Sequence, residues 1–263
     1  MGYTVGLDMG SSTIKIVFME KERLADCVRI DRSESYEEVL IKKGLENIEK
    51  IVTVGAGSSF IEGDILGIKT SHVEEFEAIA RGGQYLSGEE ECLVVSLGTG
   101  TCFIYAGKDS ITHAGGCGIG GALLSSLADY GLGMKDVNEF TRLALDGSAS
   151  NADLQIKDIS KNDIDTLYGD VTVANMAKIN KESAPCDYAY GVCNLVFQNI
   201  GVMAYMASKA FLTSKIVVLG TMASGTFAKD SFAAVGGLFK VDFIVPENSA
   251  YAVAIGAVLL DKT

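Results

Sequence analysis

Val5-Gly6-Leu7-Asp8-Met9-Gly10-Ser11-Ser12-Thr13-Ile14-Lys15 is an apolar run, a turn of Gly and Ser, and the start of a second apolar run. A buried strand that ends in such a turn leaves backbone N–H groups unpaired and pointing outward, where they bind anions, usually phosphate. Asp8 can hold Mg²⁺ directly or through water, and Lys15 can place a point charge on a phosphate. The stretch therefore predicts a phosphate-binding turn after the first strand.

Two more glycine turns follow apolar runs, at 94–101 and at 217–221. Their order resembles the phosphate-1, phosphate-2 and adenosine segments of the actin-like ATPase and sugar-kinase superfamily. That resemblance implies an α/β protein of two actin-like (ribonuclease H-like) domains with an ATP cleft between them. Strand and glycine turn recur in both halves, and we expect domains at 1–114 and 115–263.

Composition excludes several classes of partner. The 263 residues carry 22 basic and 34 acidic side chains, a net charge of −12, which argues against nucleic acid or an anionic membrane surface as partner. The longest apolar stretches contain polar residues and fall short of a membrane span. Met1 leads directly into a strand pattern, so we expect no signal peptide. The six cysteines form no C-x-x-C pair, which is typical of reduced core residues in a cytoplasmic protein.

Hydrophobic periodicity predicts alternating strands and helices. The expected strands are 4–7, 14–20, 23–30, 48–54, 92–106 with a central turn, 216–219 and 241–245; the expected helices are 36–45, 73–85, 122–130, 137–145, 187–212 and 250–260. Ser71 is the expected cap of the second helix, and 147–169 is expected to be a loop over a site. The sparsely charged 187–212 helix is expected to bury an apolar face in a two-fold homodimer.

The glycine-rich segment 115–121 is a second candidate anion site. Backbone amides preceding the helix that begins near Ala122 would face an anion, and the missing side chains would let a flat ring approach. The alternative is a tight crossing between the two domains.

Carboxylates supply the candidate catalytic groups. Glu75 is a candidate base, since a kinase that phosphorylates an alcohol gains from a carboxylate that accepts the hydroxyl proton. Alternatively Glu74, Glu75 and Glu77 are simply charges in the first turn of a helix. Asp8 is costly at the end of a buried strand unless a metal or amides pair with it, and Lys15 either binds phosphate or is a solvated strand end.

The whole chain, from residue 3 to about 260, resembles the bacterial type II pantothenate kinases. The matching segments are Gly6–Gly10 with Lys15, Glu75–Ala78, Gly98–Thr101, Gly115–Gly121, Asp153–Leu154, Gly169–Asn175, Glu247–Asn248 and Ala254–Ala257. The resemblance implies ATP-dependent phosphorylation of pantothenate to 4'-phosphopantothenate, the first step of coenzyme A biosynthesis, with Mg²⁺ held by Asp8.

The same resemblance implies roles for individual residues. Catalysis would rest on Glu75, Asp8 and His113, and the substrate would meet Glu75, Thr101, His113 and Gly115. The positions implied to contact ATP are Asp8, Met9, Gly10, Ser11, Ser12, Thr13, Lys15, Thr99, Gly100, Gly121, Ala122, Leu123, Leu124, Ser125 and Thr221.

Two positions depart from the family pattern. His113 stands where the family usually has an Arg, which is always charged and offers a planar fork of donors. Val137 stands where an aromatic residue is common. One interpretation is that the residue at position 113 drifted in this lineage and another hydrogen-bond donor substitutes for the Arg. The other is that the protein is a weak enzyme or acts on a different substrate.

Three other functions stay open. They are a sibling kinase for a pantetheine-like alcohol, a non-catalytic nucleotide- or coenzyme A-binding homologue, and an ATPase activator of radical dehydratases. The last shares the N-terminal motif, but of its cysteine loop only Cys117 is present.

Overall fold

Twelve strands organise the protein in a computed structural model that describes residues 2–165 and 167–261. They are β1 (Tyr3–Met9), β2 (Thr13–Glu20), β3 (Arg23–Asp31), β4 (Ile48–Val54), β5 (Thr70–His72), β6 (Cys92–Leu97), β7 (Thr101–Ala106), β8 (Ile111–Cys117), β9 (Leu154–Gln155), β10 (Thr172–Ala174), β11 (Lys215–Leu219) and β12 (Asp242–Ile244). Two five-stranded sheets have the orders β3-β2-β1-β4-β5 and β8-β7-β6-β11-β12, and β9 pairs with β10 in a small ladder.

The two large sheets repeat one topology. In each, the first three strands form an antiparallel meander, and the last two add in parallel beside the first strand. The α/β class is confirmed, and the recurrence of strand and glycine turn in the sequence corresponds to this repeated topology.

Nine helices cover the sheets within the described residues. They are α1 (Tyr36–Lys43), α2 (Glu75–Ser87), α3 (Gly121–Leu132), α4 (Val137–Ala144), α5 (Ala149–Ala152), α6 (Ile156–Ile159), α7 (Pro185–Ala210), α8 (Thr226–Phe239) and α9 (Ala252–Leu260). The outer face of the first sheet packs near α1, and the outer face of the second packs against α3, α4, α7 and α8.

Helices α2 and α9 fill the space between the two sheets. Ala78 and Ala257 pack with Val52 and Val54 of the first sheet. The next two residues of α2, Ile79 and Ala80, pack on the second sheet. Because α2 touches both sheets, its N-terminus lies where the two sheets face each other.

The crossing of α2 and α9 depends on glycine. A Cβ on Gly256 would overlap the carbonyl oxygen of Ala78, and one on Gly82 would overlap that of Ala252. Both obstructing atoms are backbone, so relief requires the helices to move apart. The two helices are in contact only because neither glycine has a side chain.

Gly256→Ala should therefore lower the free energy of unfolding by about 3 kcal/mol, the upper end of overpacking costs. Gly237→Ala is the matched control, because it also lies in a helix and its Cβ would meet nothing within 4 Å. That control should be neutral or stabilising, since Ala is the better helix former. Urea denaturation of both variants checks this; equal stabilities would show that the close crossing is not tight in solution.

Sheet membership divides the chain differently from the expected boundary. A division after residue 114 cuts β8, whereas all of 92–117 joins the second sheet and α9 returns to the first. We propose one unit of 2–72 with α9, a second beginning at β6, and α2 between them.

Several elements were not predicted. β5 and α8 were missed, and β8 occupies the first part of the segment expected to be a glycine turn. The expected loop 147–169 instead contains α5, β9 and α6, of which α5 packs against α7. Thr166 lies outside the described residues.

The apolar character of α7 is explained within the chain. Nearly half of its 26 residues are buried, against the second sheet and neighbouring helices. Exposed apolar side chains remain at its C-terminal end, with Met206 66% exposed and Leu212, just beyond the helix, 94% exposed. Dimerisation through this helix stays a prediction.

None of the helices within the described residues is both long and apolar enough to cross a membrane. All six cysteines are free of disulfides, and two of them are fully buried.

Candidate active site

Asp8 and Lys15 face each other across the first hairpin. Strand alternation sends Leu7 and Met9 into the core on the outer face and turns Asp8 towards α2 and α9. Asp8 pairs directly with Lys15 in the antiparallel register, and the Lys15 Nζ lies 3.3 Å from the Asp8 Oδ2. Burial raises the pKa of the Asp8 carboxyl, and the Lys15 ammonium partly opposes that shift. Asp8 therefore lies near the end of β1 with Lys15 as its cationic neighbour.

Glu75 is the first residue of α2 and lies close to this pair. Its side chain reaches solvent, yet surrounding protein raises the pKa of its carboxyl, with Asp8 adding to the rise and Lys15 opposing it. On β7 of the second sheet, burial raises the pKa of the Cys102 thiol to about 11, with a smaller contribution from the negative charge of Glu75. Glu75 therefore lies between the ends of the first sheet and β7 of the second.

The three acidic residues around this helix start are not equivalent. Glu74 is the N-cap residue without a side-chain cap bond, and Glu77 is exposed further along the first turn. Glu75 interacts electrostatically with Asp8 and Lys15. The helix begins at Glu75, so Ser71, which lies in β5, does not cap it.

The two predicted phosphate turns meet. The Ser11 and Thr99 hydroxyl oxygens are 2.6 Å apart, which joins the β1–β2 turn of the first sheet to the β6–β7 turn of the second. Within the second turn the Gly98 amide donates to the Gly100 carbonyl at 2.9 Å. The first and second glycine turns thus lie directly against each other.

The glycine-rich segment 115–121 differs from the expected anion site. The Gly121 amide donates to the Gly98 carbonyl at 2.8 Å and the Ala122 amide donates to Thr99 at 3.0 Å, so both are already paired. Thr101 is buried, and its hydroxyl donates to the Ile119 carbonyl at 2.8 Å. These three hydrogen bonds hold segment 115–121 against the Gly98 turn within the second sheet, so they do not form the crossing between two domains that was the alternative. Anion binding by this segment stays a prediction.

Thr221 lines a small cavity on the second unit. Its volume is about 80 Å³, and α4, α7 and α8 meet there; the lining residues are Val137, Asn138, Thr141, Phe197, Thr221, Met222, Ser224, Gly225, Phe227 and Ala228. A Cβ on Gly121 would lie 3.1 Å from the Met222 sulfur, which places the start of α3 beside this cavity. Val137, which stands where the family commonly has an aromatic residue, lines the same cavity as Thr221. Contact of either residue with a nucleotide stays a prediction.

Some of the positions implied to bind ATP have side chains in the core. Met9 and Leu124 are buried, 4% and 0% exposed, and Leu123 packs against the same core as Leu124. Any contact between these residues and a nucleotide would be made by backbone atoms. Asp8 is also buried, and the other positions, among them Gly10, Ser12, Thr13 and Ser125, are at least partly accessible.

His113 lies on the rim next to the helix that carries Glu75. Its ring stacks on Phe76, with centroids 4.5 Å apart and planes 12° from parallel. A register shift in the β7–β8 pairing follows His113, and Gly115 has φ +136° with nothing within 4 Å of where a Cβ would be. Such bulges re-aim side chains at sites, and here the bulge separates His113 from the glycines that follow.

Sequence reasoning missed Arg32 and the turn after β4. The Arg32 Nη1 donates to the Gly10 carbonyl at 3.5 Å, and Gly57 lies beside the same guanidinium. A signal was present, because Gly55-Ala56-Gly57 follows a buried strand just as Gly10 does. Arg32 itself carries no local pattern.

Comparison with solved structures shows the fold. The chain is similar to the activator of 2-hydroxyisocaproyl-CoA dehydratase from Clostridium difficile, solved with bound ADPNP, with a TM-score of 0.69, 18% identity, and coverage of 98% of this chain and 93% of that one. It is also similar to a ROK hexokinase from Thermus thermophilus, with a TM-score of 0.57, 16% identity, and coverage of 98% and 97%. The expected two-domain actin-like fold is thereby confirmed.

Comparison with curated sequences extends over the whole chain. The type II pantothenate kinase of Staphylococcus aureus (strain USA300) is 26% identical over 277 aligned residues, which cover 98% of this chain and 99% of that protein. The family model described as Fumble matches residues 89–231, more than half of the chain. The chain belongs to the Fumble family.

Proposed function

We propose that this protein is an ATP-dependent kinase that phosphorylates pantothenate to 4'-phosphopantothenate, the first step of coenzyme A biosynthesis. The observation that carries the proposal is Glu75, whose raised pKa and position beside Asp8 and Lys15 suit a base at the meeting of two glycine turns. The full-length similarity to a type II pantothenate kinase supports the choice of acceptor.

Asp8 fits the role of a magnesium ligand. It is a buried carboxylate with a single cationic partner, and its Oδ1 lies 3.0 Å from where a Cβ on Gly55 would be, so no side chain fills that side. The described residues contain no group of three or more His, Cys, Asp or Glu that could hold a metal. Proteins often bind Mg²⁺ through one or two carboxylates plus substrate phosphates. When bound, Mg²⁺ would neutralise charge on the phosphates.

The residues of the chain would divide the reaction between them. The Ser11 and Thr99 turns would cradle the phosphates, Lys15 would add positive charge, and Glu75 would accept the proton of the attacking hydroxyl. The hydroxyl oxygen forms a bond to the γ-phosphorus, the bond to the β-phosphate bridge breaks, and ADP leaves. Thr221 and its cavity are proposed to receive the adenosine.

A panel of small alcohols assayed for ATP-dependent phosphorylation tests the proposal. Pantothenate should be the best acceptor, with ADP and phosphorylated product formed in equal amounts. Preferential turnover of pantetheine would favour the sibling kinase instead. ATP binding without turnover of any acceptor would favour a non-catalytic homologue.

The dehydratase-activator function has one observation in its favour, the TM-score of 0.69. Cys117 does not suit the bridging role that the loop of those activators requires. Its thiol donates to the Ile119 carbonyl at 3.6 Å, and its side chain packs against the core of the second unit. We therefore favour the kinase over the dehydratase activator. We further propose that the kinase is cytoplasmic, forms a homodimer and has no nucleic-acid or membrane partner.

Replacing His113 tests whether it occupies the position of the family Arg. His113→Arg should raise kcat/KM for pantothenate about tenfold to a hundredfold, because a charge-assisted contact is worth about 1.5–3 kcal/mol. The guanidinium can keep the stack on Phe76. Steady-state kinetics measures the change.

Thr112→Arg is the matched control, since it adds the same charge to the neighbouring exposed position on β8. It should leave kcat/KM nearly unchanged. Equal effects of the two variants, or no gain from His113→Arg, would show that His113 does not stand near the transferred phosphoryl group.

A further inference from the structure

Arg32 is fixed to the phosphate-binding turn at two points. Its backbone amide donates to the Ser12 carbonyl at 3.2 Å, and its Nη1 donates to the Gly10 carbonyl at 3.5 Å. The residue follows β3 directly, and its side chain extends over the end of the first sheet. The guanidinium thus lies where this turn begins.

Gly57 leaves the room that the guanidinium occupies. A Cβ there would lie 2.5 Å from the Arg32 Nη1 and 2.7 Å from the Met9 carbonyl oxygen. Gly57 does not have a positive φ, so its backbone conformation does not require glycine. Its missing side chain is explained by the close approach of the Arg32 guanidinium and of the Met9 carbonyl.

Arg32 lies at the edge of the first sheet where open α/β sheets bind their ligands. The parallel strands β1, β4 and β5 all end there, and ligands of open α/β sheets lie outside the carboxyl ends of the strands. Arg32 reaches this edge on the side of β4. The Ser11 side of the same turn instead faces Thr99, where the nucleotide phosphates are proposed to lie.

The guanidinium has unused capacity for an anion. Among the described residues Arg32 makes no ion pair, whereas Asp8 is paired with Lys15. Within the described residues, the guanidinium makes one hydrogen bond, at 3.5 Å to the Gly10 carbonyl, which leaves most of its five N–H donors available. Arg recognises planar oxyanions such as carboxylates through paired parallel bonds.

We propose that Arg32 binds the carboxylate of the acceptor and so selects an anionic alcohol over a neutral one; this rests on the proposed function. The oxyanion chemistry also fits a phosphate of ATP. The carboxylate is favoured because Arg32 lies on the β4 side of the turn and not between the two phosphate turns. Arg32 is thus a specificity residue that supplies a fixed positive charge at the site, whatever the charge of His113.

Kinetics on Arg32→Gln with two acceptors tests this. The variant should raise KM for pantothenate about tenfold to a hundredfold, leave KM for ATP within about twofold, and leave KM for pantetheine, which lacks the carboxylate, nearly unchanged. Arg32→Lys should recover part of the loss, since it keeps the charge without the fork. Arg23→Gln, the same change at the far end of β3, is the matched control and should behave like the wild type.

Other outcomes overturn the proposal. If Arg32→Gln raises KM equally for pantothenate and pantetheine, or raises KM for ATP, Arg32 contacts the nucleotide instead. If all three KM values are unchanged, Arg32 has no role in binding. Calorimetric titration of pantothenate in the presence of a non-hydrolysable ATP analogue separates this from the proposed function. No binding by the wild type overturns both, whereas equal binding by wild type and Arg32→Gln overturns the role of Arg32 alone.

Discussion

Glu75→Gln should lower kcat for pantothenate phosphorylation about 10²–10⁴-fold and leave KM for ATP nearly unchanged. The amide keeps the shape of the side chain at the start of α2 but cannot accept the proton of the acceptor hydroxyl. Glu75 interacts electrostatically with Asp8 and Lys15, so this substitution removes the carboxylate that we propose as the base. Single-turnover measurement of product formation isolates the chemical step.

Glu77→Gln is the matched control on the same helix. Glu77 is exposed in the first turn of α2 and is not the proposed base, so this variant should keep its kcat within about twofold. If both variants behave alike, Glu75 is only a charge that favours the helix N-terminus.

The pH profile should report the same group. Burial and Asp8 raise the pKa of Glu75 above its ordinary value of 4.5, so the fraction of ionised base falls as pH drops through that raised pKa. Wild-type kcat should therefore decline on the acid side at a higher pH than an ordinary Glu would give. The decline should disappear in Glu75→Gln; its persistence would assign it to Asp8.

The positions of the first two strands that end in glycine turns could be predicted because their signals are local. A buried strand that ends in Gly and Ser needs no knowledge of the rest of the chain, and Asp8, Lys15 and the Gly98 turn were located in that way. The antiparallel pairing of Asp8 with Lys15 follows from a short hairpin with fixed register.

The parts that were missed depend on long-range packing. β5 is three residues long and is stabilised by pairing with β4, so its own sequence carries little periodicity. α8 begins after a glycine without a side-chain cap, so the usual start signal is absent. Whether the Gly121 and Ala122 amides face a ligand or the Gly98 turn is decided by how β6–β8 pack beside α3.

The roles of individual glycines could not be predicted from the neighbouring sequence either. Gly57 and Gly256 look alike in the sequence, yet one makes room for a guanidinium and the other for a helix backbone. Arg32 became visible only when its side chain was found against Gly10 and Gly57. Specificity residues of this kind lie far from the motifs that identify a family.

Asp8→Asn should lower kcat/KM for Mg-ATP about a hundredfold or more, the scale expected when a preorganised charge at the phosphates is removed. The thermal midpoint should change by only a few degrees. Burial raises the pKa of Asp8, which means that the fold disfavours its ionised form, so the neutral amide relieves that cost; losing the Lys15 partner acts in the opposite direction. Asp8 therefore contributes to function more than to stability at neutral pH.

The pH dependence of stability and a control variant separate the functional role of Asp8 from a structural one. Since the folded pKa of Asp8 is raised, wild-type stability should increase as pH falls through that pKa, and Asp8→Asn should lack this increase. Asp242→Asn removes an Asp from another Lys pair, with Lys215 at 2.8 Å on the exposed edge of the second sheet, and should leave the kinetics intact. Raising Mg²⁺ should partly restore Asp8→Asn if the carboxylate holds the metal. An Asp8→Asn protein that unfolds, or that loses activity without any response to Mg²⁺, would assign Asp8 to the structure of the first hairpin instead.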